Sequence, residues 1–216
     1  MRQFKVINQL ELKDGVLMCK KPSRRSYQKA HYRQGDLDGA CGAYSIAMVL
    51  NIIGVFEADE IYSNSDKSDN RFAERRLIKT LNKQGLYRDG LNSDDIQEIL
   101  SKTYSKYVHI HVFTKEEDNI SEIIKDSLNE NTPVILRLGY DKQNAHWVVV
   151  IGYEMNEFGD IIAFLTLDPS VSSPTFSLWN GVLNLEKEPR KKYGYLYYTG
   201  DSKLVDFDDV IVINKN

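Results

Sequence analysis

One cysteine, Cys41, stands where a glycine-rich turn gives way to a helix. Gln34 opens the segment, and the turn carries Gly35, Gly39 and Gly42. Apolar residues then recur at Ala43, Ile46, Ala47, Leu50 and Ile53, the spacing of a helix with one buried face, and Gly54 is its stop. A thiol in the first turn of a helix meets the positive end of the macrodipole and unpaired N–H groups, and both favour thiolate. Thiolate is the nucleophilic form, so the pattern points to covalent chemistry at Cys41. The competing reading is a small buried core cysteine, the commoner use of a lone Cys.

A second constellation bears on that choice. Ala145–Tyr153 reads as a strand with His146 near its start, and Ile161–Leu167 as another, followed by Asp168 and Pro169. Between them, residues 154–160 carry turn chemistry. An antiparallel hairpin pairing Tyr153 with Ile161 sets His146 opposite Asp168. Directly opposed residues point to one face with Cβ atoms about 4.5–5.5 Å apart. A carboxylate beside an imidazole is the arrangement that orients a catalytic base. The ordinary alternative makes His146 a strand-end residue and Asp168-Pro169 a turn start.

The order Gln34, Cys41-Gly42, His146-Trp147-Val148-Val149-Val150, Asp168-Pro169 resembles papain-like cysteine peptidases. It most resembles the branch containing the bacterial peptidases that remove double-glycine leaders, and Asn131–Leu138 resembles that branch's strand before the histidine. The resemblance spans about residues 34–54 and 120–170. It implies a papain-like fold, Cys41 as nucleophile, His146 as base, Asp168 as the residue orienting the base, and Gln34 as an oxyanion donor. There are departures. Gln34 precedes Cys41 by seven positions where papain-like enzymes usually have six, and Ala43 stands where leader peptidases often have proline. The Cys-Gly-Ser-Cys-Trp signature of papain is absent, and no transporter region follows.

Length and composition bound the rest. A chain of 216 residues is long enough for one substantial core. With 28 basic and 31 acidic residues it offers no charge excess for nucleic acid. Two cysteines, Cys19 and Cys41, make no disulfide framework and suit a reducing compartment. No clustered Cys/His pattern points to a metal, and His109 and His111 alternate on a strand as a polar face. The N-terminus lacks the apolar stretch of a signal peptide, and no apolar run has the length of a membrane span. The expectation is a cytoplasmic protein acting on a peptide or protein, without membrane or nucleic-acid partners and without a cofactor. Secretion by a leaderless route would leave no trace, and oligomeric state is not readable.

The elements that must position these residues follow from periodicity. Residues 1–33 read as an N-terminal extension holding a short strand at Gln9–Lys13, a turn at Gly15 and a basic surface loop (Lys20, Lys21, Arg24, Arg25, Lys29, Arg33); a processed pro-segment is an alternative. Residues 34–216 read as one peptidase domain. Ser63–Asn70 reads as a loop, Arg71–Lys83 as a helix ended by Gly85, Ser93 as the N-cap of a helix to Lys102, and Ile120–Asn129 as a further helix. Strands are expected at 107–113, 193–198 and 210–214, with an Asn180-Gly181 hairpin turn and a connection starting at Gly200-Asp201. Tyr193, Tyr195 and Tyr197 fall on one side of their strand, read as a sheet face rather than a peptide-binding wall. Helices early and strands late give an α+β fold, the cysteine helix packed on a C-terminal antiparallel sheet with the site between them. The function expected is peptide hydrolysis through a thioester. A deamidase or transglutaminase with the same triad, and an inactive peptide-binding module, are the alternatives.

Overall fold

The structure, a computed structural model, describes residues 2–22, 26–35, 39–58, 72–83, 90–116, 118–141 and 144–216. The expected loop at Ser63–Asn70, the helix start at Arg71 and the stop at Gly85 lie outside the described residues. The chain forms β1 (Gln3–Val6), β2 (Glu11–Lys13), β3 (Val16–Lys20), β4 (Tyr27–Lys29), α1 (Cys41–Ile52), α2 (Ala73–Lys83) and α3 (Ser93–Thr103). Then follow β5 (Val108–Phe113), α4 (Ile120–Asn129), β6 (Val134–Gly139), β7 (Ala145–Met155), β8 (Ile161–Leu167), β9 (Gly181–Asn184), β10 (Tyr195–Tyr198) and β11 (Ser202–Lys215).

An antiparallel sheet dominates this mixed fold. Its strands run β1-β7-β6-β11-β10-β9-β8, and β8 also pairs with β7, which closes the sheet into a barrel. β1 and β5 extend it as partners of β7 and β11. β7 lies at the centre. Every residue from His146 to Glu154 is buried, because one face meets α1 and the other faces the barrel. A strand covered on both faces needs a continuous apolar run rather than alternation, and Trp147 to Ile151 supplies it.

Helix α1 packs on β7 and β6 and also touches β3. The spacing predicted one buried face, but Met48, Val49 and Ile52 are buried together with Ile46 and Leu50. The helix is enclosed by the barrel on one side and by the sheet β2-β3-β4 on another. A helix buried on most sides carries apolar residues nearly all round. Burying each large aliphatic side chain stabilises the fold by about 1.5–3 kcal/mol before entropy is counted. The helix ends as expected at Gly54, whose φ is 72°.

Two local expectations are corrected. Asn92, not Ser93, caps α3: its side chain accepts from the Asp95 N–H, and the Asp95 carboxylate accepts from the Asn92 N–H. Ser93 is the first helical residue and its hydroxyl donates to Asp209 instead. Asn180-Gly181 is not a hairpin turn, since Gly181 is already paired with Thr166 in β9. The C-terminal strand is also longer than expected, running from Ser202 to Lys215 with an irregularity between Phe207 and Val210.

Candidate active site

Cys41 is the first residue of α1, and its thiol is buried beneath β7. The helix start has no side-chain cap and no acidic residue in its first turn, so within the helix nothing offsets the positive end of the dipole. His146 and the backbone of Trp147 and Gly42 are the groups beside the sulfur that favour its thiolate. Close packing fixes this meeting of helix and strand. A Cβ on Gly42 would lie 3.2 Å from Trp147 Cδ1 and from Leu91 Cβ. The Trp147 indole N–H donates to Leu91 O at 2.7 Å, and Ser45 Oγ donates to Trp147 O at 3.2 Å.

His146 Nε2 lies 2.7 Å from Asp168 Oδ1, which leaves Nδ1 as the ring nitrogen for Cys41. Residues from distant parts of the chain hold Asp168. Ser170 donates to Oδ1 from both its N–H (2.7 Å) and its Oγ (2.6 Å). Tyr197 donates to Oδ2 at 2.9 Å. The Asp168 N–H donates to Asn180 Oδ1 at 2.6 Å. Its carbonyl accepts from Asn180 Nδ2 at 3.0 Å and from His31 Nε2 at 2.8 Å.

The expected hairpin register does not occur. Pairing between β7 and β8 shifts between Val150 and Gly152 and again between Glu154 and Met155, so that Met155 faces Ile161 and Val149 faces Leu167. Extending that register past Leu167 sets Asp168 opposite Val148. The displacement is two residues, and side-chain direction in a strand repeats every two. His146 therefore keeps the same face as Asp168 and reaches it as a diagonal neighbour, within the span of longer side chains.

The electrostatics follow from these contacts. Burial pushes the Cys41 thiol up, but the hydrogen bond to His146, the His146 charge and the Trp147 and Gly42 N–H groups outweigh it, leaving the thiol below its ordinary value. Burial disfavours the His146 cation, yet Asp168 and Cys41 together raise it to about 9. Burial also opposes ionisation of Asp168, and His146 with Ser170 overcomes it, lowering the carboxyl to about 2. The contacts favour the thiolate of Cys41 and the imidazolium of His146 relative to the isolated groups. Cys19 shows the opposite case: it is fully buried against Asn51 O, and burial alone pushes its thiol up to about 12.

Gln34 is anchored beside Asp168, its N–H donating to Pro169 O at 2.8 Å. Its Oε1 is buried with no hydrogen-bond partner among the described residues, which leaves Nε2 as the end of the amide able to donate. Asp36 and Asp38, which follow Gln34 in this turn, lie outside the described residues. His109 and His111 are exposed on β5. Among the described residues, no group of three or more His, Cys, Asp or Glu is placed to hold a metal. No described helix is long and apolar enough to cross a membrane.

The motifs did not point to His31, Tyr140, Ser170, Asn180 or Tyr197 as part of this site. Ser170 was the most accessible, because an Asp followed by a residue donating its N–H two positions on is an Asx-turn. The Tyr140 ring lies tilted to His146 with ring centroids 6.3 Å apart, and burial, Asp168 and Cys41 all raise its hydroxyl. Tyr197 is 29 residues from Asp168 in sequence and meets it only because the barrel closes.

No curated protein matches the sequence. A crystal structure of UfSP from C. elegans aligns with a TM-score of 0.45 and 15% identity, over 99% of this chain and 34% of that one. The chain thus spans about a third of the length of that protein. The Peptidase_C39 like family matches residues 21–175, a stretch that includes Gln34, Cys41, His146 and Asp168. The chain belongs to the Peptidase_C39 like family.

Proposed function

We propose that the protein is a cysteine peptidase that hydrolyses peptide bonds through Cys41, His146 and Asp168. The observation that carries this reading is the buried line from thiol to imidazole to carboxylate, with His146 hydrogen-bonded to Asp168 and Cys41 beside it. Membership of a peptidase-type family supports the same reaction class.

In this reading the Cys41 thiolate attacks the carbonyl carbon, and the carbonyl electron pair moves to oxygen. The Cys41 N–H and Gln34 Nε2 stabilise that oxyanion. Collapse breaks the C–N bond, and the His146 imidazolium gives its proton to the departing amine. Water then attacks the thioester, His146 takes its proton, and the acid product leaves with thiolate restored. Asp168 keeps the ring aimed throughout.

The proton on His146 sets the alkaline limit. It must be present to protonate the amine, so kcat/KM is expected to fall as pH rises through about 9. On the acid side kcat/KM falls where the thiolate takes up a proton, at a pH below the ordinary thiol value. A pH–rate profile measures both limbs.

Gln34→Ala is expected to lower kcat by roughly a hundred-fold while changing KM little, because an oxyanion donor acts on the transition state. Unchanged kcat would leave that role to backbone groups alone.

The reading is tested with a peptide library scanned by mass spectrometry. Cleavage that disappears in Cys41→Ala supports a peptidase. A shift of about one dalton on glutamine without cleavage would make the protein a deamidase, since water or another amine can resolve the same thioester. No turnover with either outcome would leave a binding module. Membership of the double-glycine leader branch is the finer proposal, supported by the Gln34, Cys41-Gly42 and His146-Trp147 motifs. Preferential cleavage after a Gly-Gly pair is its expected sign.

A further inference from the structure

Asp168 is almost wholly buried, and its two oxygens have separate partners. Oδ1 serves His146 and Ser170. Oδ2 accepts from Tyr197, whose hydroxyl also lies 3.0 Å from Thr166 Oγ1. Thr166 and Tyr197 are themselves buried, at 0% and 2% exposure. A phenol has one proton to give. An ionised carboxylate cannot donate, so the Tyr197 proton goes to Asp168 and the Thr166 proton goes to Tyr197. The chain of donors is therefore directed from Thr166 through Tyr197 to the carboxylate.

Gly181 makes room for it. A Cβ there would fall 2.4 Å from Thr166 Oγ1 and 2.5 Å from the Tyr197 hydroxyl, distances no real contact adopts. Gly181 pairs with Thr166 across β9 and β8, so the strand that carries this glycine passes directly over the two hydroxyls. Any side chain at this position displaces them unless the strand itself moves.

We propose that Tyr197 is a positioning residue of the active site: its hydroxyl, oriented by Thr166 in space left by Gly181, holds Asp168 Oδ2 so that Oδ1 stays aimed at His146. Without that bond the carboxylate plane is fixed from one side only, by Ser170. In a dry site a lost donor to a charged group is not replaced by water. Tyr197 touches no reacting atom, and its effect passes through Asp168. The proposal rests on the reading of Cys41, His146 and Asp168 as a triad.

The test combines kinetics with proton NMR of the His146 Nε2–H that bonds Asp168, a low-field resonance read without substrate. Tyr197→Phe keeps the buried ring and removes only the hydroxyl. It is expected to lower kcat about ten- to a hundred-fold at unchanged KM, and to shift or abolish the low-field resonance. Gly181→Ala keeps both hydroxyls and displaces them, and should move both readouts in the same direction. Thr166→Val removes the hydroxyl that orients Tyr197 but leaves the Tyr197–Asp168 bond possible, so it should move both readouts in the same direction as Tyr197→Phe and by less. If Tyr197→Phe does not fold, Gly181→Ala decides. An unchanged resonance or an unchanged kcat in folded Tyr197→Phe or Gly181→Ala overturns the proposal. Should the wild type not hydrolyse peptides, the peptidase reading fails separately. The resonance and the Cys41 alkylation rate then carry the same test of Tyr197.

Discussion

Cys41→Ala is expected to lose turnover by roughly four to six orders of magnitude, and His146→Ala by a similar factor, measured per folded molecule. The two losses should not add, because nucleophile and base act as one unit. Their effects on stability should differ. Removing the Cys41 sulfur takes away one polarizable atom and leaves α1 seated on β7. Removing the His146 imidazole leaves Asp168, 1% exposed, as a buried charge without its cationic partner, a loss that typically costs about 3–5 kcal/mol. Ser170 and Tyr197 still donate to that carboxylate, which places His146→Ala toward the lower end. Circular dichroism and melting temperature beside turnover separate the two effects. Residual peptide cleavage above a hundredth of wild type in folded Cys41→Ala would remove the nucleophile assignment.

Asp168 gives the second large effect. Asp168→Ala is expected to lose roughly a hundred-fold or more in turnover, since nothing then holds the imidazole tautomer or stabilises its cation. Asp168→Asn should retain more. Its carbonyl oxygen can accept from His146 Nε2–H, and its amide can donate to the Tyr197 oxygen, which then turns its own proton to Thr166. The imidazolium loses its charged partner in both variants, so the alkaline limb should move below about 9. The expected order of activity is wild type, Asp168→Asn, Asp168→Ala, His146→Ala. If Asp168 only began the Asp168-Pro169 turn, the variants would melt earlier and turn over normally when folded. Normal turnover in folded Asp168→Ala would therefore exclude it from the triad.

The sequence was most legible where one local rule sufficed. The helix start at Cys41 and its stop at Gly54 follow from glycine placement and apolar spacing. The strand at His146 follows from an uninterrupted apolar run. The His146–Asp168 pairing was approached by a wrong register, because the two shifts between β7 and β8 leave no compositional mark. The shared face of the two residues survived because the shift was an even number of residues. Residue type suits Ser93 as a cap, but Asn92, one position away and equally suited, holds that place. Asn180 illustrates a different failure. Asn-Gly is a strong hairpin signal, but here the Asn side chain is spent on the Asp168 backbone and the Gly on clearance for two hydroxyls. His31 and Tyr197 carry no local signal at all. Their roles exist only after β4 and β10 have been brought to the end of β8, which is long-range packing that periodicity does not encode.

In the proposed reaction His146 holds Cys41 as a thiolate. The most direct measurement is the rate of iodoacetamide alkylation at each cysteine across about pH 4 to 10, in wild type and in His146→Ala, with Cys19 as internal reference. The thiolate is the reactive species. In the wild type, the Cys41 rate should titrate with a midpoint below the ordinary thiol value. In His146→Ala, burial is left with less opposition and the midpoint should rise to that value or above it. Cys19, pushed up to about 12, should stay unmodified in the folded protein. A Cys41 that titrates like an ordinary thiol in the wild type, or a profile that His146→Ala leaves unmoved, would contradict the ion pair on which the whole account stands.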